Sequence, residues 1–275
     1  MKSAKIKKLE KILKGLKSVV VAYSGGLDST FLLKMALDTL GKDNVLAVTA
    51  RSETYPNIEY IDARRATKLI GAAHKVIRTK ELAMKNFKAN PVNRCYYCKK
   101  ELFKNLSDIR RRHGFENIVD GANYDDLKDV RYGMRAARET GIRSPLLEAK
   151  IEKEEIRKLS RRLKLPTWDK PSFACLASRV PFNETITREA LARIDRAESY
   201  LRRAAFKQVR VRLHKDIARL EFYGSDFSKI LEERTRRKVI QHLKDLGFKY
   251  ITLDLEGYRT GSMHETLKGQ GLTKL

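Results

Sequence analysis

Four short stretches of the chain combine nucleophilic, acidic or basic side chains at reactive spacings. The first is Ser24-Gly25-Gly26-Leu27-Asp28-Ser29. Backbone N–H groups converge where a strand, a small-residue turn and a helix start meet, and the positive end of the helix dipole adds to them, making an anion site. Gly25 and Gly26 allow close approach and positive φ, and Ser24 and Ser29 add hydroxyls. Asp28 would repel a bare phosphate, but has a use if it accepts a backbone N–H or meets a metal carried by phosphates. Gly-Gly alone is also what an ordinary tight turn needs. The second stretch is Cys95-Tyr96-Tyr97-Cys98. A C-x-x-C chelates one metal, forms a redox disulfide, or is two reduced thiols on a helix turn. The third surrounds Cys175, with Arg179 four residues on. An isolated cysteine is usually inert packing. In a basic irregular loop it is instead a candidate thiolate nucleophile toward an activated acyl group. The fourth is Arg210 and Arg212, which share one face of a strand at i, i+2. Alternating arginines fit a solvated sheet face, and two guanidiniums also suit a phosphate.

The elements that position these residues alternate in the first half. Apolar runs at Val19–Ala22, Asn44–Ala50, His74–Ile77 and Asn117–Gly121 read as strands. Helices are expected after the glycine loop, over Ile58–Ile70, and around 127–139 and 152–164. Ile6, Leu9, Ile12, Leu13 and Leu16 form the apolar face of a Lys-rich leading helix. The rhythm predicts an α/β fold with a doubly wound parallel sheet, whose ligands lie at the carboxyl ends of the strands. The fourth strand ends in Gly121-Ala122-Asn123-Tyr124-Asp125-Asp126, a turn that either closes over a nucleotide or is an ordinary strand–helix cap.

From Leu165 the pattern breaks. Pro166, Pro171 and Pro181 punctuate an irregular connector over 166–186 that holds Trp168, Phe173 and Cys175. A small α+β domain follows over 187–275: a helix capped by Thr187, a half-buried strand 209–213, a partner strand 217–222, one helix Phe227–Leu246, and a last strand 250–255. The tail after Gly261 is polar and Gly-rich and is expected to be mobile. The expected domains are thus 1–165, the connector 166–186, and 187–275.

At 275 residues and 42% hydrophobic content the chain can bury a real core. Its formal net charge of +25 points to anionic ligands or partners, although solvated Lys/Arg faces produce the same excess. No run is apolar enough to span a bilayer, and Met1 does not lead into a signal peptide, so membrane insertion and secretion are not expected. Three cysteines make no paired secreted framework, and a cytoplasmic location is expected.

The glycine loop lacks Walker spacing. It resembles the Ser-Gly-Gly-x-Asp-Ser loop of the PP-loop ATP pyrophosphatases, which implies a Rossmann-like fold and cleavage of ATP to AMP and pyrophosphate through an adenylated intermediate. Further stretches extend the likeness: Ala22–Ser29, Asn93–Lys99, Asp120–Asp126, Gly133–Ala137, Leu165–Pro171, Cys175–Arg179 and Gly257–Ser262. Together they resemble the LarE-type ATP-dependent sulfur transferases over nearly the whole chain. That resemblance implies a role in making the nickel-pincer nucleotide of lactate racemase. The implied substrate is pyridinium-3,5-biscarboxylic acid mononucleotide, converted to a thiocarboxylate with ATP and Mg2+. By the resemblance, Ser24, Gly25, Gly26, Asp28, Ser29 and Gly121 bind ATP, with Asp28 near magnesium. Arg179, Arg210 and Arg212 are candidates for the substrate phosphate or the AMP leaving group. Single-cysteine members sacrifice the sulfur of the residue at the position of Cys175. Three-cysteine members hold a [4Fe–4S] cluster whose open iron carries an extra sulfide. With Cys95, Cys98 and Cys175 all present, the cluster type is expected here, with sulfide as a possible sulfur source. Family members form symmetric assemblies, so a homo-oligomer is expected. A tRNA thiolase of the same superfamily is the alternative; it fits the charge, but the chain has no RRM-type or KH-type signature.

Overall fold

The computed structural model describes residues 3–128, 132–171, 174–206, 208–259, 262, 263 and 265. Phe173 and the tail beyond 265 lie outside the described residues, and so does the expectation of a mobile tail. In chain order the elements are α1 (Ala4–Leu16), β1 (Val19–Ala22), α2 (Leu27–Leu40), β2 (Val45–Arg51), α3 (Asn57–Ile70), β3 (Ala73–Arg78), α4 (Lys85–Lys88), α5 (Arg94–Arg112), β4 (Asn117–Val119), α6 (Tyr132–Glu139), α7 (Pro145–Glu148) and α8 (Lys153–Arg162). Then come α9 (Arg188–Arg203), β5 (Val209–His214), β6 (Ile217–Phe222), α10 (Phe227–Leu231), α11 (Glu233–Asp245) and β7 (Tyr250–Leu253). The chain divides into two compact units, one of residues 1–81 and 93–173, the other of 82–92 and 174–275.

The first unit is built on four parallel strands in the order β3-β2-β1-β4. Side chains alternate across a strand, so Val19 and Val21 join one core with Leu9, Leu13, Phe31 and Leu32, while Val20 joins the other with Phe103, Leu106 and Ile109. Helices therefore cover both faces, and the fold is the expected doubly wound α/β sheet. Ser3 caps α1 by accepting from the Ile6 N–H, and Ile6, Leu9, Leu13 and Leu16 are buried, the face read from the sequence. Strand order reverses between β1 and β4, which opens a crevice at their carboxyl ends. The loop 23–26 leaves β1 there, and Gly121 follows β4 there. The helix expected over 127–139 is described as a 3-10 turn at Tyr124–Lys128 and then α6. Helix α5 had no counterpart in the sequence reading beyond the idea of a helix turn, although Phe103, Leu106 and Ile109 mark its buried face.

In the second unit β5 pairs antiparallel with β6, and β6 pairs parallel with β7. Thr187 caps α9, accepting from the Ala190 N–H at 3.1 Å, and Leu191, Ile194, Ala197 and Leu201 are buried. The segment 82–92 joins this unit through Asn90, whose Nδ2 donates to the Val180 and Pro181 carbonyls. Two expectations change here. The single helix over 227–246 is two, because Glu232 is extended at ψ 129°. And β5 is not half-buried: residues 209–213 are buried throughout, so Arg210 and Arg212 are not a solvated sheet face.

Candidate active site

The 23–26 turn is a cradle fixed from several sides. Gly25 takes φ +69°, and a Cβ there would lie 2.6 Å from Ala63 Cβ on α3. Gly121 approaches the start of α2 so closely that a Cβ would lie 3.0 Å from the Ser29 nitrogen. Gly25 thus requires glycine for packing and for its backbone angle, and at Gly121 any larger residue would press on the backbone of α2. Ser24 Oγ and Ser29 Oγ are 3.0 Å apart, and Ser29 Oγ also accepts from the Ser24 N–H at 3.3 Å. The first N–H groups of α2 have no intrahelical acceptor, as at any helix start, and they face the same turn.

Asp28 lies in the first turn of α2, and Asn123 Nδ2 donates to its Oδ1 at 3.2 Å. Burial pushes the Asp28 carboxyl up; Lys153 and the Asn123 hydrogen bond pull it down, and neighbouring Asp126 pushes it further up. The turn after β4 is self-braced: Asn123 N–H donates to Asp126 Oδ2 at 3.1 Å and Asp125 N–H to Asn123 Oδ1 at 3.0 Å. Two carboxylates beside an anion cradle suit a cation brought in by phosphates. The sequence gives Tyr55 no role and includes Lys170 only within the Leu165–Pro171 stretch of the family likeness. Tyr55 donates to the Ser24 carbonyl at 2.7 Å, and Lys170 Nζ is 3.4 Å from the Gly25 carbonyl. Their separation from the loop along the chain left no local signal.

In the second unit the structure brings Cys175, Arg179, Arg210 and Arg212 together. Cys175 caps a 3-10 turn, Leu176–Arg179, and is partly exposed. Its carbonyl accepts from Ser178 Oγ at 2.8 Å and from an Arg179 guanidinium nitrogen at 2.9 Å. Arg179 is fully buried and forks onto Glu198 at 2.9 and 3.0 Å. Its guanidinium therefore supports the cysteine turn from beneath and presents nothing to solvent. Arg212 forks onto buried Glu221 at 2.9 and 2.8 Å and reaches the Ser178 carbonyl at 2.8 Å. Arg210 lies 5.1 Å from the Tyr258 ring centroid, and burial, reinforced by the Arg179 charge, lowers its pKa to about 10. Glu198 is held below the usual carboxylate range by Arg179, Arg202 and Arg210 against the opposing effect of burial. Such a crowd of guanidiniums around two carboxylates favours a further anion.

Cys95 and Cys98 sit i, i+3 in the first turn of α5, the former exposed and the latter partly so, and neither is in a disulfide. Two soft thiolates on one helix face suit iron or zinc. Cys175 belongs to the other unit. Among the described residues no three His, Cys, Asp or Glu side chains gather into a group that could hold a metal. The α5 pair thus offers two ligands as it stands.

A family model described as NAD synthase matches residues 4–107, the span containing the 24–29 loop. An uncharacterized protein of Synechocystis is 43% identical over 267 residues, 97% of this chain and 99% of the relative. The pyridinium-3,5-bisthiocarboxylic acid mononucleotide synthase of Lactiplantibacillus plantarum is 41% identical over 255 residues, 93% of this chain and 92% of the relative. An uncharacterized protein of Methanocaldococcus jannaschii is 33% identical over 261 residues, 93% of this chain and 98% of the relative. With the glycine loop at the strand-order reversal and identity of this degree along nearly its full length, the chain belongs to the LarE-type family of ATP-using sulfur transferases.

Proposed function

We propose that this protein adenylates a carboxylate of pyridinium-3,5-biscarboxylic acid mononucleotide and converts it to a thiocarboxylate, in assembly of a nickel-pincer cofactor. The observation that carries this reading is the 41% identity to the Lactiplantibacillus synthase over 93% of the chain. The carboxylate oxygen attacks the ATP α-phosphorus and pyrophosphate leaves. A sulfur nucleophile then attacks the acyl carbon, and AMP leaves with the electron pair of the broken C–O bond. The cycle runs twice, once per carboxylate.

Division of labour follows the chain. Residues 1–165 handle ATP: Ser24, Gly25, Gly26, Ser29 and Gly121 shape the pyrophosphate cradle. Asp28, beside Asp126, is the carboxylate for Mg2+. The connector 166–186 presents Cys175, and 187–275 takes the substrate and serves assembly into a homo-oligomer. Arg210 and Arg212 are the anion-facing pair. Arg179 acts from beneath, through the carbonyls of Ala174 and Cys175. Cys95 and Cys98 on α5, together with Cys175, would be the ligands of a [4Fe–4S] cluster, which would supply an open iron for sulfide. The site is cytoplasmic in this reading; no helix among the described residues is long and apolar enough to cross a membrane.

The test is incubation with ATP, magnesium and the dicarboxylate nucleotide, followed by mass spectrometry of the intact chain and the products. AMP and a thiocarboxylate are expected from brown, anaerobically purified protein containing iron and acid-labile sulfide. ADP as product rejects the adenylation scheme. Full thiotransfer by iron-free protein with dehydroalanine at position 175 rejects the cluster. Salt-dependent tRNA binding with thiolated tRNA as product favours the alternative.

A further inference from the structure

We propose that Lys170 and Tyr55 are positioning residues of the phosphate loop, each gripping one loop carbonyl and thereby aiming the N–H of the same peptide at the nucleotide. The inference rests on the reading above that this loop takes the ATP pyrophosphate. In a planar trans peptide the C=O and the following N–H point in opposite directions, and the described backbone contains no cis peptide. Tyr55 donates to the Ser24 carbonyl at 2.7 Å, which fixes the direction of the Gly25 N–H. Lys170 Nζ holds the Gly25 carbonyl at 3.4 Å, which fixes the direction of the Gly26 N–H; that N–H donates to Ser24 Oγ at 3.4 Å, a weak contact that an incoming phosphate oxygen would replace. Gly25, at φ +69°, lies between these two peptides, so successive N–H groups turn to one side as in an anion-binding nest.

Lys170 is suited to act on the loop rather than on phosphate. An ammonium has three N–H donors, and here they meet Glu59 at 2.9 Å, Asp62 at 3.1 Å and the Gly25 carbonyl at 3.4 Å. Its charge is balanced by two carboxylates on one face of α3, and its side chain is only 13% exposed. Tyr55 also reaches the Glu59 carbonyl at 3.3 Å, so both grips share the start of α3 as their base. The strap that delivers Lys170 is itself held: Arg157 donates to the Trp168 carbonyl at 2.8 Å, and Arg161 lies 5.1 Å from the Trp168 ring centroid.

The experiment compares ATP with AMP, which lacks the pyrophosphate. Dissociation constants of both are measured by calorimetry on the full chain: wild type, Y55F, K170R, K170M and the double variant E59Q/K170M. The double variant removes one of the two carboxylate charges that balance Lys170, so the local excess of negative charge is smaller than in K170M. Y55F and E59Q/K170M are expected to weaken ATP about tenfold each, the scale of one hydrogen bond to a loop that binds charge, and AMP less than about twofold. K170R is expected to recover part of the loss. Equal loss of ATP and AMP, or unchanged ATP affinity in E59Q/K170M, overturns the assignment. Wild type that binds ATP while the variants match it refutes only this inference; wild type that does not bind ATP refutes the ATP reading itself and this inference with it.

Discussion

Substituting Gly25 by alanine tests whether the phosphate cradle depends on its packing against α3. The added Cβ would lie 2.6 Å from Ala63 Cβ and 3.0 Å from Ala63 Cα. Ala63 is fully buried, and its Cα is helix backbone, so α3 has no slack. Holding the loop in place would cost about 1–3 kcal/mol for a side chain at positive φ and about 1–3 kcal/mol for overpacking. The loop is the side that yields, because Ser24 is exposed and its two carbonyl contacts, from Tyr55 and Lys170, are single hydrogen bonds rather than helix backbone. Restoring an ordinary carbon–carbon separation of about 3.5–4.0 Å requires a shift of about 1 Å. Displacement on that scale can cost about 100-fold in rate. We therefore expect G25A to stay folded, to bind ATP at least about tenfold more weakly, and to lose about 100-fold in kcat. Calorimetry with ATP and pyrophosphate exchange in the presence of the dicarboxylate nucleotide measure these losses. Adding A63G removes the 2.6 Å contact and should recover part of the ATP affinity. ATP affinity in G25A within twofold of wild type, or no recovery in the double variant, would refute the reasoning.

Further predictions address the rest of the scaffold. G121A places a Cβ 3.0 and 3.1 Å from backbone atoms of Ser29 and should weaken ATP binding. G15A, with nothing within 4 Å, should stabilise α1 by about 1 kcal/mol in urea denaturation. R179M strands Glu198 in a pair whose side chains are both 0% exposed. It should destabilise the second unit by about 3 kcal/mol, the low end of the range for a broken buried pair, because Arg202 still reaches Glu198. R179L/E198L should lose less; equal losses would mean that the stranded charge is not the cause. Burial and the Arg64 charge lower the His74 pKa from 6.5. The unfolded chain therefore binds a proton that the folded chain refuses, so this contribution is full above pH 6.5 and is lost as pH falls toward the folded pKa. H74Q should flatten the stability–pH slope below that value, with the residual slope reflecting His214, which burial also shifts down.

Much of the first unit was legible because its signals are local. An apolar run, two glycines and a helical apolar face adjoin one another in sequence, and backbone geometry converts that order into strand, turn and helix. The face of α1 and the cap at Thr187 were readable for the same reason. Tertiary structure decided what depends on partners distant in sequence. Lys170 meets Gly25 from 145 residues away, and nothing near either residue announces the contact. Arg210 and Arg212 alternate like a solvated face, yet burial of their strand and the carboxylates of Glu198 and Glu221 make them interior. Asn90 binds the Val180 carbonyl across 90 residues and ties 82–92 to the second unit. Order along the chain set which short segments have a preferred backbone and which residues carry reactive groups. Only the folded chain decided which charges are neutralised and which carbonyls are held, because those depend on side chains brought together by burial rather than by adjacency.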